Sequence, residues 1–306
     1  MIIKIKQNQA KQRLDKFLTA QLPITRSQIK KLIQTEKITV NDKGAAVHRF
    51  LMPGDKIKIL NSEISKQTKP KILEPNPKVK FKIVFEDNDI IVIDKKSGII
   101  VHPTEKMETN TLANGLLAYY PEIKNIGDNS LRPGIVHRLD KDVSGLMLVC
   151  KTQKSFEYFK KQFQNRKIKK IYTVLVHGVM EKPHDIINMP IARSKKGGKM
   201  AVRTQQQKGK EAITKYEVKK QYNNFALLNV EILTGRTHQI RAHFNALNHP
   251  VVGDKLYAQK KVKAKIEIDR PFLHSTILGF TDLQKQEHEF KSELPAKLKN
   301  ILKQLQ

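Results

Sequence analysis

Nine residues, His137 to Gly145, read HRLDKDVSG. Asp140 stands there among basic neighbours, a setting that favours the ionised carboxylate, the form that serves as nucleophile or general base. The whole chain is basic, with 58 Lys+Arg against 29 Asp+Glu and a formal charge of +29. Such a surplus drives binding to nucleic-acid phosphates by counterion release, or to an anionic membrane surface. A Lys-rich genome accounts for some lysines but not for the missing acids. Alone, an aspartate in a loop more often caps a helix or makes a turn. With that charge around it, the motif points to an acting carboxylate on a polyanion.

Other chemistries lack their residues. No GxGxxG opens a helix and no GxxxxGK[ST] is present, so nucleotide-cofactor binding has no support. There is no CxxC and no HExxH, and His238 and His243 lie five apart, off one helical face. The expected enzyme uses no cofactor and no metal. The one cysteine, Cys150, lies in the apolar run GLMLVC and reads as a buried structural thiol. No run approaches the ~20 apolar residues of a membrane helix, and the first residues show no signal-peptide core. The expectation is a cytoplasmic monomer with RNA as partner and no membrane.

The elements that must position Asp140 read as α+β. From Phe81 onward the candidate strands are 81–85, 90–94, 99–101, 146–151, 172–177, 213–219 and 226–233. Leu112 with Leu116 and Leu117, then Phe156 with Phe159 and Phe163, then Ile240 with Phe244 and Leu247, mark helices between them. A last amphipathic helix spans 295–305. The predicted architecture is a large mixed, mainly antiparallel sheet flanked by helices. Residues 61–80, with Pro70, Pro75 and Pro77 among lysines, read as a linker between a domain at 1–60 and a catalytic domain at 81–306.

The first 60 residues read as a small α/β unit. Leu14, Phe17, Leu18 and Leu22 recur at helical spacing until Pro23. A second helix follows, capped by Thr25 or Ser27, with Ile29, Leu32 and Ile33 inward and Arg26, Lys30 and Lys31 outward. Strands at 38–40 and 56–60 are separated by turns at Asn41–Gly44 and Pro53-Gly54. The segments RLDKFL, TRSQIKKLI, ITVND and PGDKIKI make this block similar to the RNA-binding domain first described in ribosomal small-subunit protein four. That resemblance implies RNA contacts at Arg26, Lys30 and Lys31.

The stretch RPGIVHRLDKDVSGLMLVCKT closely resembles the central motif of the RluA-like pseudouridine synthases. Four further segments resemble that family's motifs in order: IIVIDKKSGIIVHP, KKIYTVLVHG, LTGRTHQIRAHFNALNHPVVGDKLY and PFLHSTILGF. The resemblance spans about residues 81–290. It implies a cofactor-free isomerisation in which uracil leaves its ribose, turns, and rejoins through carbon 5. It implies Asp140 as the essential aspartate, Tyr172 as the tyrosine against the base, and Arg241 as the arginine paired with the aspartate. Arg138 matches the arginine that fills the stack when the uridine flips out, and Arg236 falls in the third motif as a further RNA contact. Val143, Lys96 and Thr104 depart from the family's usual Thr, Pro and Gly.

Physical chemistry is compatible with those roles. A stacked uridine must be extruded, at a cost of a few kcal/mol. A planar guanidinium can fill the gap, and a tyrosine ring offers a stacking face with a hydroxyl for proton transfer. Attack at the anomeric carbon, attack at carbon 6, and removal of the 2′ proton all remain open for the carboxylate. Basic residues at 166–170, 193–199 and 260–265 suggest an RNA track. The expected target is large-subunit ribosomal RNA. His137 and His238 read as structural residues that hold loops. The alternatives are transfer RNA, or a non-catalytic ribosome assembly factor that kept the fold.

Overall fold

The computed structural model describes residues 1–22, 24, 26–60, 72–194, 198–204, 207–258 and 266–305. It divides into two compact units, Met1–Lys71 and Ile72–Gln306.

The first unit contains β1 (Ile2–Lys4), α1 (Leu14–Gln21), α2 (Arg26–Gln34), β2 (Ile38–Val40) and β3 (Lys56–Ile59). The strands form an antiparallel sheet in the order β1-β3-β2. Leu14, Phe17 and Leu18 of α1 meet Ile29, Leu32 and Ile33 of α2 in one buried cluster over that sheet. The turn after β2 has Asn41 and Asp42 at φ 53° and 59°, a conformation that Asn and Asp tolerate better than most residues. Helix α2 begins at Arg26, so Ser27 lies inside the helix rather than capping it. Thr25 and Pro23 lie outside the described residues.

The second unit is built on a nine-stranded sheet. Its strands are β4 (Lys82–Glu86), β5 (Ile90–Lys95), β6 (Ser144–Cys150), β7 (Lys169–His177), β8 (His184–Asn188), β11 (Ile213–Tyr222), β12 (Phe225–Ile232), β13 (Leu273–Thr281) and β14 (Glu287–Lys291). The order is β4-β5-β6-β13-β7-β12-β11-β8, with β14 on β13. Among the described residues every pairing in it is antiparallel except β6 with β13. The strands β9 (Ile191–Arg193) and β10 (Met200–Val202) form a separate ribbon. The helices are α3 (Leu112–Tyr119), α4 (Gln153–Gln164), α5 (Gln239–Ala246) and α6 (Ala296–Gln304). Thr111 and Thr152 cap α3 and α4 through side-chain bonds to the backbone N–H three residues on. This is the mainly antiparallel α+β architecture read from the sequence. No helix among the described residues is long and apolar enough to cross a membrane.

Two expectations fail. Residues 72–80 are not a linker. Leu73 is buried in the main core, and Asn114 donates to the Glu74 carbonyl at 2.7 Å. Prolines abolish periodicity there without abolishing order, because side chains of the second unit satisfy the extended backbone. The rest of the expected linker, 61–71, lies outside the described residues. Residues 99–101 are not a strand. The Ile100 and Val101 carbonyls accept from Leu112 and Ala113, the first N–H groups of α3, so their bonds go to a helix start.

Candidate active site

Asp140 lies in the turn that leads into β6. Its carbonyl accepts from the Val143 N–H at 3.2 Å, closing the turn. The turn is braced from behind by Lys95. That lysine is fully buried at the end of β5, and its ammonium donates to the carbonyls of Lys96, Ile99 and Lys141 at 2.9 to 3.0 Å. Burial pushes it down to about 7, with the Arg270 charge adding and Asp142 and Asp140 opposing. Gly145 fixes where the turn ends. Its φ is 115°, and a Cβ there would lie 2.2 Å from the Ser275 carbonyl oxygen on β13.

Arg241 reaches the same turn from α5. Its Nη1 donates to Asp140 Oδ2 at 3.1 Å. Its Nε and Nη2 donate to the two oxygens of Asp254 at 2.6 and 2.9 Å, and its guanidinium lies 5.2 Å from the Tyr257 ring centroid. Burial opposes the Arg241 charge, but the bonds and charges of Asp254 and Asp140 outweigh it and raise its pKa. His238, in left-handed conformation at φ 54°, brings Nε2 to 3.8 Å from Asp140 Oδ2. Burial lowers the His238 pKa, against the pull of Asp140, so the ring favours its neutral form. Both neighbours approach Oδ2. Among the described residues no hydrogen-bond donor reaches Oδ1.

A pocket of about 80 Å³ opens at this carboxylate, lined by Arg138, Tyr172, Ile232, Arg236, His238 and Leu273 among others. Tyr172, on β7, is 5 % exposed, so its ring forms a wall and not a surface. Burial pushes its hydroxyl well above the ordinary tyrosine range, against a hydrogen bond to Ser275. The phenol therefore stays protonated at neutral pH. Arg138 is exposed at the mouth, with no hydrogen bond or ion pair among the described residues. Arg236 lines the pocket and donates Nε to the Glu211 carbonyl at 2.9 Å.

So Asp140, Tyr172, Arg241, Arg138 and Arg236 gather at one pocket from three sequence segments. Arg26, Lys30 and Lys31 lie on the exposed face of α2 in the first unit, and Arg26 bonds Asp15 at 2.6 Å. His137 is a structural residue, accepting from the Leu148 N–H at 2.8 Å. His238 is more than a loop holder, since it faces the carboxylate. Asp254, Tyr257 and Lys95 escaped the sequence reading, although all three lie inside quoted motifs. A charged residue ending an apolar run, as Lys95 does after IIVID, was the available signal. In the expected RNA track, Lys169 is bonded to Glu289 and Lys170 is buried instead of exposed. Lys195, Lys196, Lys260, Lys261, Lys263 and Lys265 lie outside the described residues.

Residues 89–246 match the family model of RNA pseudouridylate synthases. The chain belongs to that family. It is an RluA-like pseudouridine synthase, an isomerase that acts on uridines in RNA. It is 32 % identical to the uncharacterised RNA pseudouridine synthase YlyB of Bacillus subtilis, over 98 % of this chain and 96 % of the relative. It is 34 % identical to the ribosomal large subunit pseudouridine synthase D of Yersinia pestis, over 98 % of this chain and 93 % of that one. Among solved structures, human RNA pseudouridylate synthase domain containing 1 superposes with a TM-score of 0.58. That match is 25 % identical and covers 72 % of this chain and 86 % of the human one. Asp140 on the turn before β6 thus meets Arg241 from α5, with Tyr172 on β7 forming a wall of their pocket.

Proposed function

We propose that this pseudouridine synthase modifies large-subunit ribosomal RNA and that Asp140 is its acting carboxylate. The observation that carries the assignment is the one-sided clamp on that carboxylate. Arg241 donates to Oδ2 and His238 stands 3.8 Å from the same oxygen, while among the described residues no donor reaches Oδ1. A carboxylate held on one oxygen acts with the other, without reorganising at the moment of reaction. The Yersinia relative's ribosomal name supports the target.

In this reading a flipped uridine enters with its face toward Tyr172. Arg138 fills the vacated stack as a planar cation. Oδ1 attacks the sugar or the base, or removes the 2′ proton. The bond from N1 to the anomeric carbon breaks and a bond from C5 to that carbon forms. The C5 proton then leaves and N1 gains one, so no atoms are gained overall. Lys30 and Lys31 add phosphate contacts that carry affinity more than sequence choice.

Pseudouridine mapping across all RNAs of a deletion strain tests both halves. Specific large-subunit positions should lose the modification, regain it with wild-type protein, and stay unmodified with Asp140→Ala. Rescue by Asp140→Ala would overturn the catalytic assignment, and lost positions only in transfer RNA would overturn the target.

A further inference from the structure

A second, larger cavity of about 550 Å³ adjoins the uridine pocket and shares Arg138, Tyr172, Ile232 and Arg236 with it. Lys170, Phe163, His137 and Arg132 line its far part. On a strand, residues two apart share a face, so Lys170 stands beside Tyr172 at about 7 Å along β7.

Lys170 is 5 % exposed, and its ammonium makes no hydrogen bond or ion pair among the described residues. Its ammonium lies over the Phe163 ring, 5.5 Å from Nζ to the centroid. Glu231, the acid that acts on it electrostatically, pairs with Ile171 and so lies on the opposite face of the sheet. Burial pushes the ammonium down to about 8. Its stem is buried while its charge lines the cavity, so the ammonium can take a partner that arrives with the ligand.

The surroundings define that partner. His137 stacks on Phe163 with centroids 4.6 Å apart, and its Nε2 accepts from Leu148 N–H, which leaves Nδ1–H as a donor. His102, also lining the cavity, has a buried Nδ1 with no partner among the described residues. Arg132 is exposed and forms no ion pair among the described residues. Asp128 is the one acid among the described lining residues, and it is bonded to Lys160. The cavity offers cations, ring donors and an aromatic face, and no free carboxylate.

We propose that this cavity is a second nucleotide site, in which Lys170 binds the backbone phosphodiester of a nucleotide next to the reacting uridine. The proposal rests on the reading of the adjoining pocket as the uridine site. An ammonium in the cavity wall meets a phosphate as a point charge.

The test uses a large-subunit RNA transcript carrying a uridine mapped as above, with single-turnover kinetics on wild type, Lys170→Met and Lys170→Arg. Lys170→Met should raise the half-saturating RNA concentration on the order of tenfold, shift the plateau rate far less, and reduce the salt slope by about one. Lys170→Arg should restore part of the affinity. A neutral methylphosphonate at one phosphate flanking the uridine should weaken wild type by the same factor and leave Lys170→Met unchanged. Wild-type half-saturation in Lys170→Met would overturn the proposal, as would a loss that adds to that of every neutral linkage. Removing an unpartnered buried charge should not unfold the protein, and a thermal melt checks this. Binding measured in Asp140→Ala with and without Lys170→Met separates the two readings. Turnover by Asp140→Ala alone sinks the catalytic assignment, while an unchanged affinity on adding Lys170→Met sinks only this one.

Discussion

Asp254 takes two of the three nitrogens of Arg241, at 2.6 and 2.9 Å, and its side chain is completely buried. Asp140 receives the third. The guanidinium is thus aimed by one aspartate at the other. Asp254→Ala would leave a buried cation half satisfied, at a cost of about 3–5 kcal/mol, and would free Arg241 to turn. The expected outcome is a clear drop in melting temperature and loss of most turnover. Asp254→Asn keeps one acceptor and should retain more of both. Melts and single-turnover rates on the two variants check this.

The Tyr172 hydroxyl is held above its usual range by burial, so it stays protonated until the reaction itself draws on it. Tyr172→Phe keeps the wall of the pocket and removes the proton. RNA affinity should stay within about threefold, while the turnover rate falls by about 10²–10⁴, the usual contribution of a positioned acid. Equal rates in the two proteins would restrict Tyr172 to packing.

Gly145 combines a φ of 115° with a backbone atom 2.2 Å from where a Cβ would sit. Gly145→Ala must push β6 away from β13 and so shift the turn that carries Asp140. Its cost should exceed the ~1 kcal/mol of an ordinary glycine effect. Urea midpoints should fall, and turnover should fall at saturating RNA.

In the first unit, Asp15 is buried and bonded by Arg13 at 3.0 Å and Arg26 at 2.6 Å. Burial works against its charge, but the two guanidinium groups win and hold its carboxyl well below the usual range. A depressed carboxylate stabilises fully above the unfolded value of about 3.9 and loses that contribution as pH falls through the folded value. The lead of wild type over Asp15→Asn in urea midpoint should therefore be full near about pH 6 and shrink below about pH 4. A pH-independent gap would contradict the ion-pair account.

Lys30 and Lys31 face solvent on α2, while Ile29, Leu32 and Ile33 of the same helix carry the packing. Lys30→Gln with Lys31→Gln should leave the melt unchanged and reduce the salt slope of RNA binding by about two. An unaltered slope would remove α2 from the RNA interface.

Local pattern was enough for much of this protein. Spacing of Leu14, Phe17 and Leu18, or of Phe156 and Phe159, reports a buried face because each helix must bury one stripe. The charge named a polyanion, and ordered motifs named the family and its candidate residues. Strands that cross the sheet centre were harder. β13 runs LHSTILGFT, with polar His274 and Ser275 buried beside Gly145, so no alternation announces it. Its place between β6 and β7 is a long-range pairing. The resemblance implied the pairing of Arg241 with Asp140, and tertiary structure decided its geometry and its further partner. Asp140 meets Arg241 across 101 residues, and Asp254 arrives from a third segment to aim it. Lys170 reads as part of an exposed RNA track and is buried, because burial depends on what packs above a residue and not on its own type. A sequence carries each side chain's chemistry, whereas the distances and solvent exclusion that turn chemistry into a site come from contacts between segments far apart in the chain.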